Sequence, residues 1–203
     1  TAGGLTTFCD GESVVLTSSE ATGNVWSNGE TTQAITVSTA GSYTVEYTDG
    51  NGCKATSAAT TVTVNALPVA AVNSETICAG DPAVTFIATS ATAVGWLWSD
   101  NGTGTLQNTS GTIAGNYTVV VTDANGCASA PVTGVLTVNA LPAAPTITAG
   151  GPTTFCDGES VVLTSSEATG NVWSTAETTQ AITVSTAGSY TVEYTDGNGC
   201  KAT

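Results

Sequence analysis

Apolar residues along this chain alternate with Thr and Ser over short stretches, and turns rich in Gly, Asn and Asp separate those stretches. In Tyr43-Thr44-Val45-Glu46-Tyr47 the alternation puts Tyr43, Val45 and Tyr47 on one face of an extended strand and Thr44 and Glu46 on the other. Helical patterning is nearly absent, and Thr, Val, Ser, Tyr and Trp fill the runs between turns, which is strand chemistry. The pattern predicts strands over 13–17, 24–27, 34–38, 43–48 and 60–65, with a short leading strand near Thr7. Asp49-Gly50-Asn51-Gly52 tolerates positive φ and predicts a hairpin, while Thr39-Ala40-Gly41-Ser42 predicts a tight turn before the tyrosine strand.

These elements recur. Residues 6–56 return at 153–203, differing only where Asn28-Gly29 becomes Thr175-Ala176. Between the copies Cys78, Trp98, Tyr117 and Asn125-Gly126-Cys127 repeat the order Cys9, Trp26, Tyr43 and Asn51-Gly52-Cys53, so a diverged middle repeat gives an A-B-A array. Val64-Asn65-Ala66-Leu67-Pro68 and Val138-Asn139-Ala140-Leu141-Pro142 close the first two repeats, because proline ends a ladder and starts a stiff linker. The domains predicted are 1–68 (type A), 69–142 (type B) and 143–203 (type A, lacking its last strand). About six or seven short strands per repeat, with a Trp in an early middle strand and a Tyr opening a late one, predict an all-β fold of tandem immunoglobulin-like sandwiches arranged as an elongated rod. The ends of the 203 residues read as cut from a longer array, and a neighbouring strand is a candidate to complete the last repeat.

Repeats of about 70 residues sit near the lower limit for a self-sufficient core, so a covalent restraint is expected. Six cysteines supply one. If each repeat is self-contained, the pairs are Cys9 with Cys53, Cys78 with Cys127 and Cys156 with Cys200, although six cysteines formally allow many connectivities. Because no histidine and no C-x-x-C is present, the cysteines read as disulfides of an oxidising compartment and not as metal ligands.

The charge balance, 2 basic against 16 acidic residues, excludes nucleic acid and anionic membrane surfaces as partners, since both need Lys and Arg. Only Lys54 and Lys201 are available, and they are the same position in two copies. No apolar run is long enough for membrane insertion.

Without His or Arg no serine has a base, so no catalytic residue and no cofactor is predicted and the chain reads as a non-enzyme. The one tempting carboxylate pair, Asp10 with Glu12, reads as an exposed turn. Asp49 with Asn51, Asp123 with Asn125 and Asp196 with Asn198 have oxygen ligands for calcium, but lack a third acidic ligand and read as hairpin turns. Trp26, Trp98 and Trp173 align as core residues. Trp96 stands where the first repeat has Asn24, and is a candidate glycan contact. Asn101, Asn108 and Asn116 begin Asn-x-Ser/Thr triplets that occur in the middle repeat alone. Its lack of lysine rules out a Lys-Asn isopeptide there.

The succession Cys-x-Gly, Trp-Ser-x-Gly, Gly-Ser-Tyr-Thr-Val, Thr-Asp-Gly-Asn-Gly-Cys and Val-Asn-Ala-Leu-Pro resembles the tandem immunoglobulin-like and PKD-like repeats of large Bacteroidota surface proteins, the SprB-type gliding-motility adhesins among them. The resemblance covers essentially the whole chain. It implies export by the type IX secretion system, a cell-surface location and a role in adhesion or gliding. The expected function is a structural or adhesive segment of a long extracellular fibre, whose partners are neighbouring repeats and other copies. The alternatives are a multivalent module for surface polysaccharide, or a noncatalytic spacer of a secreted hydrolase.

Overall fold

A computed structural model describes residues 1–102 and 104–203, and every regular element among them is a β-strand. The first repeat contains β1 (Thr7–Cys9), β2 (Val14–Thr17), β3 (Asn24–Trp26), β4 (Ala34–Val37), β5 (Gly41–Tyr43), β6 (Val45–Thr48), β7 (Lys54–Thr56) and β8 (Thr60–Asn65). Strand β2 pairs with β4, while the other strands are ordered β1-β8-β5 and β3-β6-β7.

The single strand expected over 43–48 is split at Thr44, and the ladder explains why. β5 lies antiparallel on β8 from Gly41↔Val62 to Tyr43↔Thr60, and β6 on β7 from Glu46↔Thr56 to Thr48↔Lys54. These ladders are two halves of one hairpin whose register slips by one residue between them, as at a β-bulge. Ser57 holds the slip. Its N–H donates to the Val45 carbonyl at 2.9 Å and its Oγ accepts the Val45 N–H at 3.1 Å. Ser129 does the same to Val121 in the middle repeat, at 2.8 Å and 3.1 Å.

The middle repeat contains β9 (Ala71–Val72), β10 (Glu75–Cys78), β11 (Val84–Thr89), β12 (Ala93–Asp100), β13 (Asn108–Gly111), β14 (Gly115–Asp123) and β15 (Val132–Asn139). Its sheets are ordered β10-β15-β14-β12 and β13-β11-β9. In the third repeat β16 (Ile147–Ala149), β17 (Val161–Ser165) and β19 (Ala181–Val184) form one sheet in that order. The other is β18 (Asn171–Trp173), β20 (Val192–Thr195) and β21 (Lys201–Ala202).

Period-2 patterning selects the cores. In the first repeat Val14, Leu16, Trp26, Ile35, Val37 and Val62 are buried together, and in the third Val161, Leu163, Trp173, Ile182, Val184 and Val192. The aligned tryptophans Trp26, Trp98 and Trp173 are all buried, and each indole N–H donates to a loop carbonyl, of Thr32, Leu106 and Thr179 respectively. Tyr43, Tyr117 and Tyr190 each donate their hydroxyl to the carbonyl of the residue four positions upstream. That is the tyrosine corner of immunoglobulin-like sandwiches. By contact, the described residues fall into two compact units, 1–72 with 87–109 and 118–133, and 73–86 with 110–117 and 134–203.

Candidate functional site: the cysteine staples

Strand direction decides where each cysteine lies. β1 runs parallel to β8 with Cys9 opposite Asn65, so Cys9 sits where the chain leaves the first repeat. The hairpin that carries Cys53 is at the other end of the same ladder. About a dozen extended residues separate Cys53 from Asn65, roughly 35–40 Å at strand rise, whereas bridged Cα atoms lie within about 7 Å. A pair closed within the repeat is therefore out of reach. In the middle repeat β10 is likewise parallel to β15, with Cys78 opposite Asn139.

The expected pairing is corrected accordingly. Cys9 is bonded to Cys127 and Cys78 to Cys200, each with Cα atoms 5.6 Å apart, and Cys53 and Cys156 are free and exposed. The rule is simple: the leading cysteine of one repeat joins the hairpin cysteine of the next. A hairpin cysteine so joined is buried, as Cys127 and Cys200 are, while Cys53 in the same hairpin is exposed.

Both halves of each staple are held by a carboxylate on the cysteine's own amide. The Cys9 N–H donates to Glu12 at 3.0 Å, Cys78 to Asp81 at 2.8 Å and Cys156 to Glu159 at 2.9 Å. On the hairpin side Asp49, Asp123 and Asp196 each accept two backbone N–H groups, from Asn51 and Cys53, Asn125 and Cys127, and Asn198 and Cys200. These Asx turns fix the direction in which the thiol points. The acidic residue three positions after each leading cysteine was the legible signal for this cradle. Asp81 stands in the place of Glu12, three positions after Cys78, so the middle repeat keeps the acceptor although it has Ala79 where the first has Asp10.

The hydrogen bond from the Cys53 amide, followed by that from Asn51, holds the Asp49 carboxyl below its ordinary value. A lowered folded value means that the turn is supported at pH above the unfolded carboxylate range and loses that support as pH falls through the folded value. Amide exchange at Asn51 and Cys53 is thus expected to speed up, relative to the neighbouring strands, on acidification below the usual carboxylate range. Exchange measured by NMR across that range checks it, and protection unchanged at its lower end would contradict it.

The remaining candidates are placed as follows. Asp10 and Glu12 are exposed, and Asp10 accepts the N–H of Gly11 at 3.1 Å. Among the described residues no group of three or more His, Cys, Asp or Glu side chains is placed to hold a metal ion. Lys54 and Lys201 make cross-strand ion pairs at 2.7 Å with Glu46 and Glu193. Asn108 and Asn116 are exposed and Asn101 is half-buried. Thr103, which completes the Asn101 triplet, lies outside the described residues.

Trp96 is half-buried, and its indole N–H is enclosed without an acceptor. The first repeat shows what was exchanged. There Asn24 accepts from Ser18 Oγ at 2.7 Å and donates to the Glu20 carbonyl at 2.8 Å, whereas Ser90 and Trp96, at the same two positions, both have buried unpaired atoms. Trp96→Phe removes an unpaired donor and is expected to leave stability unchanged or raise it, while Trp98→Phe forfeits the bond to Leu106 and costs about 1 kcal/mol. Paired denaturation curves check this, and a larger loss at Trp96 would contradict it.

The fold and the staples together define tandem immunoglobulin-like β-sandwich repeats joined covalently from one repeat to the next, and disulfides of this kind form in an oxidising compartment such as the extracellular space. No protein-family model matches the sequence, and no curated protein does. Among solved structures the chain overlaps three titin domains, I67–I69, with a TM-score of 0.38, 15% identity, and 97% and 93% of the two chains covered. For three N-terminal domains of the bacteriophage RB49 capsid protein Hoc the values are 0.38, 14%, 96% and 82%. For the fibronectin(III)-like modules of Clostridium thermocellum CbhA they are 0.34, 16%, 66% and 89%. The architecture is defined by the strand pairing, not by these overlaps.

Proposed function

We propose that this chain is a load-bearing segment of a long extracellular fibre or adhesin stalk, built from the repeats 1–68, 69–142 and 143–203. Its kind is that of the SprB-type Bacteroidota surface adhesins that its motifs resemble, exported by the type IX system and acting in adhesion or gliding. The observation that supports this reading is the course of the disulfides, which run from repeat to repeat and make each boundary covalent twice over. Such reinforcement serves a part that transmits tension between its ends. The net charge of −14 supports it too, since like charge keeps neighbouring fibres apart.

Antibodies raised against the folded chain are expected to label intact, unpermeabilised cells that make the native protein, and to reduce their attachment or movement on a surface. Labelling that needs permeabilisation would overturn the surface assignment. Labelling of intact cells with no effect on attachment or movement would overturn the adhesive one.

A further inference from the structure

The middle repeat differs from its neighbours at one sheet edge. In the first and third repeats the edge strands β3 and β18 have three residues each, beginning at Asn24 and Asn171. Gly23 and Gly170 turn the chain there with φ of 77° and 78°, and the Asn side chains donate to the carbonyls of Glu20 and Glu167. Short length and a nearby carboxylate guard an edge against added strands. Among the described strands of the middle repeat, β12 is the last in the order β10-β15-β14-β12, and it runs for eight residues. Trp96 replaces Asn24 in it and Thr92 replaces Glu20 just before it. Val94 is 63% exposed and Leu97 61%, and residues 82–99 carry no charge. The Trp98 N–H donates at 3.2 Å to the Gly104 carbonyl, on the side away from β14. Alternate residues of a strand point their N–H and C=O to the same side, so those of Val94 and Trp96 face the open edge, while those of Gly95 and Leu97 face β14.

We propose that β12 adds to β12 of a second copy of this chain, antiparallel about a two-fold axis at Gly95, as in strand addition to an open sheet. This register uses every outward N–H and C=O of Val94 and Trp96, because each of the two exchanges both hydrogen bonds with the other in the second copy. Gly95 then meets Gly95 at the non-hydrogen-bonded position, where Cα atoms lie about 4.5 Å apart. Val94 lies against Trp96 on one face and Ala93 against Leu97 on the other, so each cross-strand pair is apolar. The ends match as well. The Gly104 carbonyl closes the edge at Trp98, and opposite Trp98 the second copy has Thr92, which precedes its own β12. A strand complementary to itself in length, hydrogen bonding and side chains is suited to another copy as its occupant. Charge points the same way: two chains of net charge −14 repel over most of their surface, but along residues 82–99 they meet without opposed carboxylates.

The test uses the whole chain with Cys53→Ser and Cys156→Ser, which removes association through the free thiols. Sedimentation is expected to show a monomer–dimer equilibrium below about 1 mM that strengthens as salt rises, because screening weakens the repulsion. Amide exchange at Val94 and Trp96 should slow with protein concentration, while exchange at Gly95 and Leu97 stays constant. Val94→Glu, at an exposed position, is expected to weaken dimerisation at least about tenfold by opposing a carboxylate to Trp96, whereas Val25→Glu, at an exposed position of β3, leaves it unchanged. Gly95→Cys has room, since the nearest atom to an added Cβ is the Thr122 Cβ at 3.7 Å. Diamide, which takes up the two thiol hydrogens, should then link two copies through the new thiols. A chain still monomeric at about 1 mM in high salt would overturn the proposal and leave the edge to a partner of another kind. A dimer that Val94→Glu does not weaken, or that Gly95→Cys does not link, would overturn it too, since the contact would lie elsewhere.

Discussion

Pulled by its two ends with both staples closed, the chain is expected to extend to less than a third of the length it reaches after reduction. The two disulfide loops overlap: one spans Cys9 to Cys127, the other Cys78 to Cys200. Between the two junctions three stretches of backbone run in parallel, from Cys9 to Cys78, Cys78 to Cys127 and Cys127 to Cys200. The shortest sets the limit. It holds about 50 residues and spans roughly 170 Å fully extended, against roughly 650 Å for the about 190 residues between Cys9 and Cys200 when the bonds are open. Force spectroscopy with handles at both termini, with and without reductant, measures this directly. Cys53→Ser should leave the oxidised length unchanged, because that thiol is free, whereas Cys127→Ser should lengthen it. Equal lengths before and after reduction, or lengthening on Cys53→Ser, would contradict the staple geometry.

The second large effect is on stability. Closing a loop of about 120 residues removes denatured-state entropy worth about 5 kcal/mol, a large share of the 5–15 kcal/mol by which domains are ordinarily stable. The two contributions do not add in full, because once one staple is closed the other closes a shorter loop. Cys9→Ser, Cys127→Ser and the double variant break the same bond and are expected to lose about the same amount, roughly 3–5 kcal/mol, while Cys53→Ser stays within about 0.5 kcal/mol of the parent. Denaturant unfolding of the four variants beside the parent checks it. A Cys53→Ser variant as unstable as Cys127→Ser would count against the pairing.

The strands were readable from the sequence because their signals are local. Runs rich in Val and Thr around Val14, Ile35 and Val62 marked strands, and Asp-x-Asn-Gly marked the three hairpins. The break at Thr44 was not legible, since it depends on Ser57 bonding across the ladder to Val45. The disulfide pairing failed for a similar reason. Sequence spacing says which cysteines are near in the chain, but the parallel direction of β1 on β8 sends Cys9 away from Cys53 and toward the next repeat. Self-contained repeats were the natural assumption at the level of sequence. Strand direction, a property of the sheet, sets it aside.

Likewise, Asp10 and Glu12 were legible as carboxylates near a cysteine but not as a cradle for it. Glu12, Asp81 and Glu159 accept the same amide with side chains of different length, so the shared role does not show as a shared residue.

The repeats are stapled to one another and not closed on themselves, and the disulfide map of the native protein reads this out without intermediates. Free thiols would be alkylated at acidic pH, to suppress exchange, before digestion without reduction and mass spectrometry. Linked peptides containing Cys9 with Cys127 and Cys78 with Cys200 are expected, with alkylation at Cys53 and Cys156. Linked peptides containing Cys9 with Cys53, Cys78 with Cys127 and Cys156 with Cys200 would contradict it.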